Sequence, residues 1–553
     1  MPNFLETILS QLERSADRVV LREVRGTQIV SATGREVLER IQRARAFLRS
    51  RGIQSGDRCA LLGANSISWI ACDLAIMAEN AIVVPLYSRQ AASDLAGMLK
   101  DCGPRLLLTG EEAFGAAVAA AWKDAPPRAL FEHVTRDVSL TLPLDAAPLP
   151  RKDEDLVTII YTSGTSGEPK GVCLSTANLT HMIGCTTERL EQLMAGHREP
   201  DRIFHYLPLN FAASWIVMLS ALTRETEFTL STDLNKLADE IRIAAPNYFL
   251  NVPTLLERVR RGVEENIAKQ VAPVRYLYSR AKEAWRNHNA GRRRAFNHFW
   301  MGLGRLFIFG KITARFGSHL IALICGSAPL APETQQFFLM LGIPVLQGYG
   351  LTETTGICTL DDPRLPVEPG HVGQAVPGIE MRIGDNEEIL VRGPNLFAGY
   401  WNRPGEAAKV MTDGWFHTGD QGEVNVCGNW RIIGRIKNLI ILNSGHNIAP
   451  EPIEDRIQQV LPGAQQVVLV GNGKGYLCAL VTGLVSDEIA QAALDRINPE
   501  LPHYRQIRNF VVLREAFTPE NGLLTANGKL RRDAINARFA AEIAAMYGRK
   551  ATA

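Results

Sequence analysis

The run Tyr161-Thr-Ser-Gly-Thr-Ser-Gly-Glu-Pro-Lys-Gly-Val172 follows the apolar stretch Leu156–Ile160, so a buried strand empties into a loop whose residues are suited to holding phosphate. Gly164, Gly167 and Gly171 let backbone come close to an anion, and the hydroxyls of Thr162, Ser163 and Thr165, with Ser166 in the same loop, can donate to phosphate oxygens. Lys170 adds a cation. The loop is not of the nucleotide-hydrolase type, which needs Gly-Lys followed by Ser or Thr, because Lys170 lies between Pro169 and Gly171. Read alone, a Gly/Ser/Thr-rich loop is also a flexible connector; the strand before it and the Pro-Lys-Gly ending favour phosphate.

Five further blocks follow: Gly326-Ser-Ala-Pro-Leu330, Gln347-Gly-Tyr-Gly-Leu-Thr-Glu-Thr354, Trp415-Phe-His-Thr-Gly-Asp420, Gly434-Arg-Ile-Lys-Asn438 and Ala526-Asn-Gly-Lys-Leu-Arg531. In this order, and over nearly the whole chain, they resemble the acyl-adenylate-forming enzymes, which include acyl-CoA synthetases, luciferases and the adenylation domains of peptide synthetases. The resemblance implies that a carboxylate is joined to the α-phosphate of ATP, pyrophosphate leaves, and the acyl group passes to a thiol. That chemistry calls for charge neutralisation more than for acid–base work.

The roles that the resemblance implies are specific. Gly326, Ser327 and Ala328 would lie against adenine, Tyr349 would stack on it beside Gly350, Thr352 would donate to the α-phosphate, and Glu353 would help hold Mg2+ while Lys170 supplies the opposite charge. Asp420 would accept the ribose hydroxyls, with Arg435 adding a fork of donors for the same sugar. Lys529 stands where the family has a mobile lysine that bridges the substrate carboxylate and the α-phosphate. Lys437 takes the hinge position, about which a small domain would swing to bring Ser444, Gly445 and His446 toward the CoA path, on which Gly348 also lies.

The stretches Pro246–Glu257 and Phe517–Thr525 look like those of long-chain fatty acyl-CoA synthetases. One departure concerns Leu207-Pro-Leu-Asn-Phe211, where Phe211 replaces a frequent His; Asn210 and Phe211 suit an apolar gate on the acyl path. Between Arg275 and Arg315 ten Lys/Arg face the single acid Glu283, interleaved with Trp and Phe. Such a segment can rest on an anionic membrane or meet the phosphates of CoA, and an exposed charged helix with an apolar underside is the alternative. The expected reaction is ATP-dependent activation of a medium- or long-chain fatty acid and transfer to CoA. The rivals are an acyl-AMP ligase serving an acyl carrier protein or an oxygenated fatty acid, and a catalytically silent binding protein.

The elements that must position these residues are those of an α/β protein. Strand-like runs at Arg58–Leu62, Ile82–Leu86, Arg105–Leu108, Tyr248–Asn251 and Leu320–Cys325 alternate with helical stretches such as Arg35–Arg51 and Ala91–Lys100. Beyond Gly378 short strands at Glu380–Ile383 and Glu388–Val391 indicate a β-rich subdomain completing a large lobe over 1–436. A small mobile α+β domain is expected over 437–553, with strands Gln466–Val470, Tyr476–Val481 and Arg508–Leu513 and a helix over Asp487–Ile497. At 553 residues more than one domain is required, and a net charge of +2 gives no case for nucleic acid as a partner. The nine cysteines are scattered singly, which suits the cytoplasm and argues against a zinc site. The N-terminus lacks the apolar core of a secretory signal, and Asp73, Glu79 and Asn80 interrupt the most apolar stretch, Trp69–Leu86, making it a buried helix feeding a strand.

Overall fold

The computed structural model describes residues 3–26, 28–163, 169–292, 295–518, 521–524 and 529–548. The fold is mixed α/β, with a large N-terminal lobe and a smaller C-terminal one. Runs read as strands because they are apolar on both faces are buried on both faces: Tyr248–Asn251 and Ile82–Leu86 form strands with those bounds, covered throughout.

A nine-stranded sheet has as its centre the parallel strands Asp201–His205, Tyr248–Asn251, Ala322–Cys325 and Val345–Tyr349. Asn251, Cys325 and Gln347 lie in register, so the chain leaves the last two strands on one side of the sheet at Gly326 and Gly350. Carboxyl ends of parallel strands are where ligands of open α/β sheets bind. A second, seven-stranded sheet carries Arg58–Leu62, Ile82–Leu86 and Leu106–Thr109 in parallel, then Leu156–Ser163, Pro169–Ser175 and Gly399–Tyr400. Leu156–Ser163 and Pro169–Ser175 are an antiparallel hairpin with Thr162 opposite Lys170. The β-rich part follows as expected, Glu380–Ile383 and Glu388–Arg392 pairing with each other and with Trp415–Val424.

The C-terminal lobe is built on Ala464–Val470, Leu477–Gly483 and Ile507–Leu513, with the helix Asp487–Ile497 begun by Ser486, whose hydroxyl accepts from the Ile489 amide. Its hydrophobic clusters contain buried residues from Ile440 onward, whereas those of the large lobe stop at Trp430. Two separate cores let two lobes keep their own structure while their relative placement changes. No helix among the described residues is long and apolar enough to cross a membrane; Trp69–Leu86 divides into the buried helix Ile67–Ala78, which starts just before it, and the strand Ile82–Leu86.

That helix carries Asp73 into the core, where Oδ2 accepts from the Trp215 indole at 2.9 Å and Oδ1 has no partner. Burial pushes this carboxyl up to about 7, the Trp215 bond acting against the shift. The folded chain therefore holds a proton that the unfolded chain releases at ordinary carboxylate pH, so stability is full below that range and falls as pH rises toward 7. Asp73→Asn keeps an acceptor for Trp215 and removes the charge. Thermal unfolding should show the variant gaining on the parent as pH rises from mildly acidic to above neutral; a difference independent of pH would contradict the assignment.

Candidate active site

The two lobes enclose a cleft of about 3050 Å3. One wall begins with the hairpin that carries Thr162 and Lys170. The Tyr161 hydroxyl fixes this hairpin by donating to Asp101 Oδ2 at 2.6 Å, and Tyr400 lies on the adjoining strand opposite Val172. Lys170 Nζ is 2.8 Å from Glu406 Oε2 and 5.2 Å from the centre of the Tyr400 ring. Hydrogen bonds from Lys170 and then Lys409 hold the Glu406 carboxyl down to about 2.

Glu353 enters the cleft from a tight turn, Thr352–Thr354, after the strand Val345–Tyr349. The turn is braced from the next loop: Phe397 N donates to the Glu353 carbonyl at 2.9 Å and Thr355 Oγ1 to that of Asn395 at 2.7 Å. Gly350 is required beside it, since a Cβ there would come within 2.5 Å of the Gly356 carbonyl oxygen. The Tyr400 hydroxyl donates to Glu353 Oε1 at 2.9 Å, so a single phenol joins the carboxylate of this turn to the hairpin lysine. Among the described residues no three His, Cys, Asp or Glu side chains converge as a metal cage. Glu353 in the cleft wall fits Mg2+, which is commonly held by one or two carboxylates together with substrate phosphates.

Asp420 and Arg435 are direct cross-strand partners in the β-rich sheet. Asp420 is buried; Oδ1 is 2.8 Å from Arg435 Nε and Oδ2 accepts from the Tyr349 hydroxyl at 2.7 Å. Burial, reinforced by Asp420, raises the Tyr349 phenol well above its ordinary range and keeps it a donor. A carboxylate has about four acceptor sites, so two bonds leave it able to accept from a diol.

Lys529 reaches the same cleft from the C-terminal lobe. Its surroundings hold the ammonium below its ordinary pKa: desolvation by the crowded wall comes first, then Arg435, while Asp420 and Glu353 act in the opposite sense and Lys437 adds repulsion. Lys529 is nonetheless exposed, as befits a residue on the wall of an open cleft and not in a sealed core. Lys437, in the turn Ile436–Asn438 that joins the lobes, is likewise lowered by desolvation and then Arg435. An anion bound among these cations would restore the charge that crowding disfavours.

The cleft also has an apolar side. Asn210 and Phe211 precede the buried helix Ala212–Leu222, and the Phe211 ring lies 6.0 Å from that of Tyr87. Leu250, Val252, Ile324 and Ile357 continue this surface. Gly326, Ser327 and Ala328 also line the cleft, with Ser327 at φ +73° in the left-handed region.

The chain matches the family model for the AMP-binding enzyme over residues 9–401 and that for the AMP-binding enzyme C-terminal domain over 437–551. The chain belongs to the AMP-binding enzymes. Among relatives of this AMP-binding enzyme, a long-chain-fatty-acid–CoA ligase of Mycobacterium bovis is 30% identical over 93% of this chain and 92% of its own length. A long chain acyl-CoA synthetase of Arabidopsis thaliana is 28% identical over 85% of this chain and 76% of its own. Among solved structures, ATP-bound MatB from Rhodopseudomonas palustris has a TM-score of 0.74 at 22% identity, covering 97% of this chain and 99% of that one. A Mycobacterium tuberculosis fatty acyl CoA synthetase has a TM-score of 0.65 at 23% identity, covering 98% and 99%. At these identities the structures speak for the fold.

Within this AMP-binding fold Thr162, Lys170, Gly326, Ser327, Ala328, Gly348, Tyr349, Gly350, Thr352, Glu353, Asp420, Arg435, Lys437 and Lys529 all line one cleft. Gly164, Thr165, Ser166 and Gly167 lie outside the described residues, as does the side chain of Ser163. Ser444, Gly445 and His446 do not line the cleft. They form the hairpin between Ile440–Ile441 and Asn447–Ile448, where Ser444 Oγ is 2.9 Å from His446 Nδ1 and the imidazole stacks on Tyr504 at 4.2 Å. Tyr400 and Glu406 escape a reading of the sequence. Glu406 reads as a first-turn acid after Pro404 at the head of a short helix, and nothing local ties it to a lysine 236 residues earlier.

Proposed function

We propose that this AMP-binding enzyme activates a medium- or long-chain fatty acid and transfers it to CoA. A carboxylate oxygen attacks the α-phosphorus of ATP, the bond to the β-phosphate oxygen breaks, and pyrophosphate leaves; the CoA sulfur then attacks the acyl carbonyl and AMP departs. The observation that carries this reading is the meeting in one cleft of Lys529, Glu353 and the Asp420–Arg435 pair with the apolar surface at Phe211. The relatives named as a long-chain-fatty-acid–CoA ligase and a long chain acyl-CoA synthetase support the acid and the acceptor.

In the first step Lys529 neutralises charge between the carboxylate and the α-phosphate, Thr352 donates to that phosphate, Asp420 and Arg435 fix the ribose, and Tyr349 and the Gly326–Ala328 loop hold the base. Bound Mg2+, held through Glu353 and the phosphates, would supply further neutralisation there. Tyr400 acts on both ends of the phosphate region as a positioning residue through Glu353 and Lys170. The domain boundary at Lys437 serves the second step: rotation of 437–553 withdraws Lys529 and presents Ser444–His446 to the thiol path. The separate cores of the two lobes support such a rotation. The same reading puts the enzyme in the cytoplasm, touching an anionic membrane through 275–315.

Incubation with ATP, Mg2+, a fatty acid and CoA should yield acyl-CoA, AMP and pyrophosphate in equal amounts. Acyl-AMP accumulating in the presence of CoA, and discharged only by an acyl carrier protein, would instead establish the carrier-protein ligase.

A further inference from the structure

We infer that the outward face of the helical segment Ala295–Phe316 is a wedge that enters the surface of an anionic lipid bilayer. The inference rests on the fatty-acid reading and gives the general membrane contact a named surface. The segment runs from the helix Ala295–Gly304 through a wider π-turn, Arg305–Phe309, into Gly310–Thr313. Its underside is in the core: Met301, Ile308 and Phe309 are buried, and Gly304 sits so near the helix Ala272–Asn289 that a Cβ would lie 2.7 Å from that of Ala281.

The opposite side is apolar as well. Phe296, Phe299, Leu306 and Phe307 are 54–72% exposed; the spacings of three and seven put the first three along one stripe, and Phe307 widens it. A surface helix ordinarily turns polar residues outward, so a second apolar stripe is unaccounted for by folding. Among the described residues every large exposed aromatic lies here, Tyr276 on the neighbouring helix being the fourth, whereas exposed apolar residues such as Val426 and Leu484 are scattered. The rings are mutually braced: Phe296 and Phe299 each stand within 5.8 Å of Trp300, which Tyr276 also meets at 5.8 Å. They are thus ordered before contact, which lowers the entropy cost of insertion.

Charge selects the occupant. Arg275, Arg292, Arg305, Lys311 and Arg315 are exposed around the stripe. The one acid between Arg275 and Arg315, Glu283 on the preceding helix, is engaged by Arg280 at 2.8 Å. Two copies meeting through this face would bring one basic collar against another, so a second copy of the chain is disfavoured. Aromatics on the apolar stripe with long basic side chains at its flanks match an interface of acyl chains beneath anionic headgroups. Fatty acids partition into that interface, so docking there would bring the enzyme to its substrate.

The test is flotation with vesicles of phosphatidylcholine alone, or with phosphatidylglycerol as about one lipid in three. The parent should float with the anionic vesicles and stay largely free of the neutral ones. Joint change of Phe296, Phe299, Leu306 and Phe307 to Ser should weaken partition to anionic vesicles by about tenfold or more. Arg305→Glu with Lys311→Glu, which leaves the apolar stripe intact, should lose about as much on anionic vesicles and change nothing on neutral ones. Both variants should keep acyl-CoA formation from a dispersed, water-soluble acid. The wedge is overturned if the parent does not float, if either variant floats like the parent, or if the serine changes instead dissolve a dimer. Flotation without any acyl-CoA formation would leave the wedge standing and remove the proposed reaction, and the converse would do the reverse.

Discussion

Lys529→Ala is expected to lower acyl-AMP formation by about 100- to 1,000-fold while transfer from supplied acyl-AMP to CoA largely survives. The loss should be that large because Lys529 lines the cleft together with Glu353, Asp420 and Arg435, where a positioned cation can meet the charge that develops in the transition state. Survival of the second half-reaction follows from the proposed rotation, which removes this residue from the site before the thiol arrives. The two half-reactions can be read separately, as pyrophosphate release and as thioester formation. Equal loss in both would show that Lys529 serves the architecture of the cleft and not one of its two states.

Asp420→Ala should weaken ATP binding by about 2–5 kcal/mol, corresponding to roughly thirtyfold or more, through loss of charge-assisted bonds to the ribose. Here the structure adds a second cost. Arg435 and Tyr349 both lean on this carboxylate, at 2.8 and 2.7 Å, so alanine also orphans two donors. Tyr349→Phe removes only the second of these bonds and separates the effects: with Asp420 still present, ATP affinity should fall far less. Unchanged ATP affinity in Asp420→Ala, measured by calorimetry on protein with parental unfolding temperature, would refute the ribose assignment.

Much of the scaffold was legible because burial leaves a plain mark. Arg58–Leu62, Ile82–Leu86, Tyr248–Asn251 and Asp487–Ile497 lie where the sequence puts them, the strands as short apolar runs. Ends were less legible where pairing is irregular: the strand read from Gln466 begins at Ala464, across a shift of register. The π-turn Arg305–Phe309 has no signature in the order of residues, since its widening answers packing on both flanks.

The site divides in the same way. Asp420 and Arg435 are fifteen residues apart and meet across two strands, a distance that a hairpin reading can span. Lys529 joins them from a lobe with its own core, and only the resemblance of Ala526–Arg531 to a family block pointed there. Glu406 and Tyr400 stayed hidden because their partners, Lys170 and Glu353, are brought to them by sheet assembly alone.

The account turns on a carboxylate held at Lys529 whose acid must run along the apolar side past Phe211. Each added methylene should then strengthen binding by up to about 0.8 kcal/mol until the apolar path is full, and no further. The direct measurement is catalytic efficiency for acyl-CoA formation across a series of saturated acids from acetate upward, for the parent and for Phe211→Ala. Efficiency should climb from weak activity on acetate to a plateau among medium or long chains, and Phe211→Ala should move the preferred length. Higher efficiency with acetate or an aromatic acid than with any fatty acid of about ten or more carbons would contradict the account, because a path that gains with each methylene cannot favour a ligand that leaves it empty.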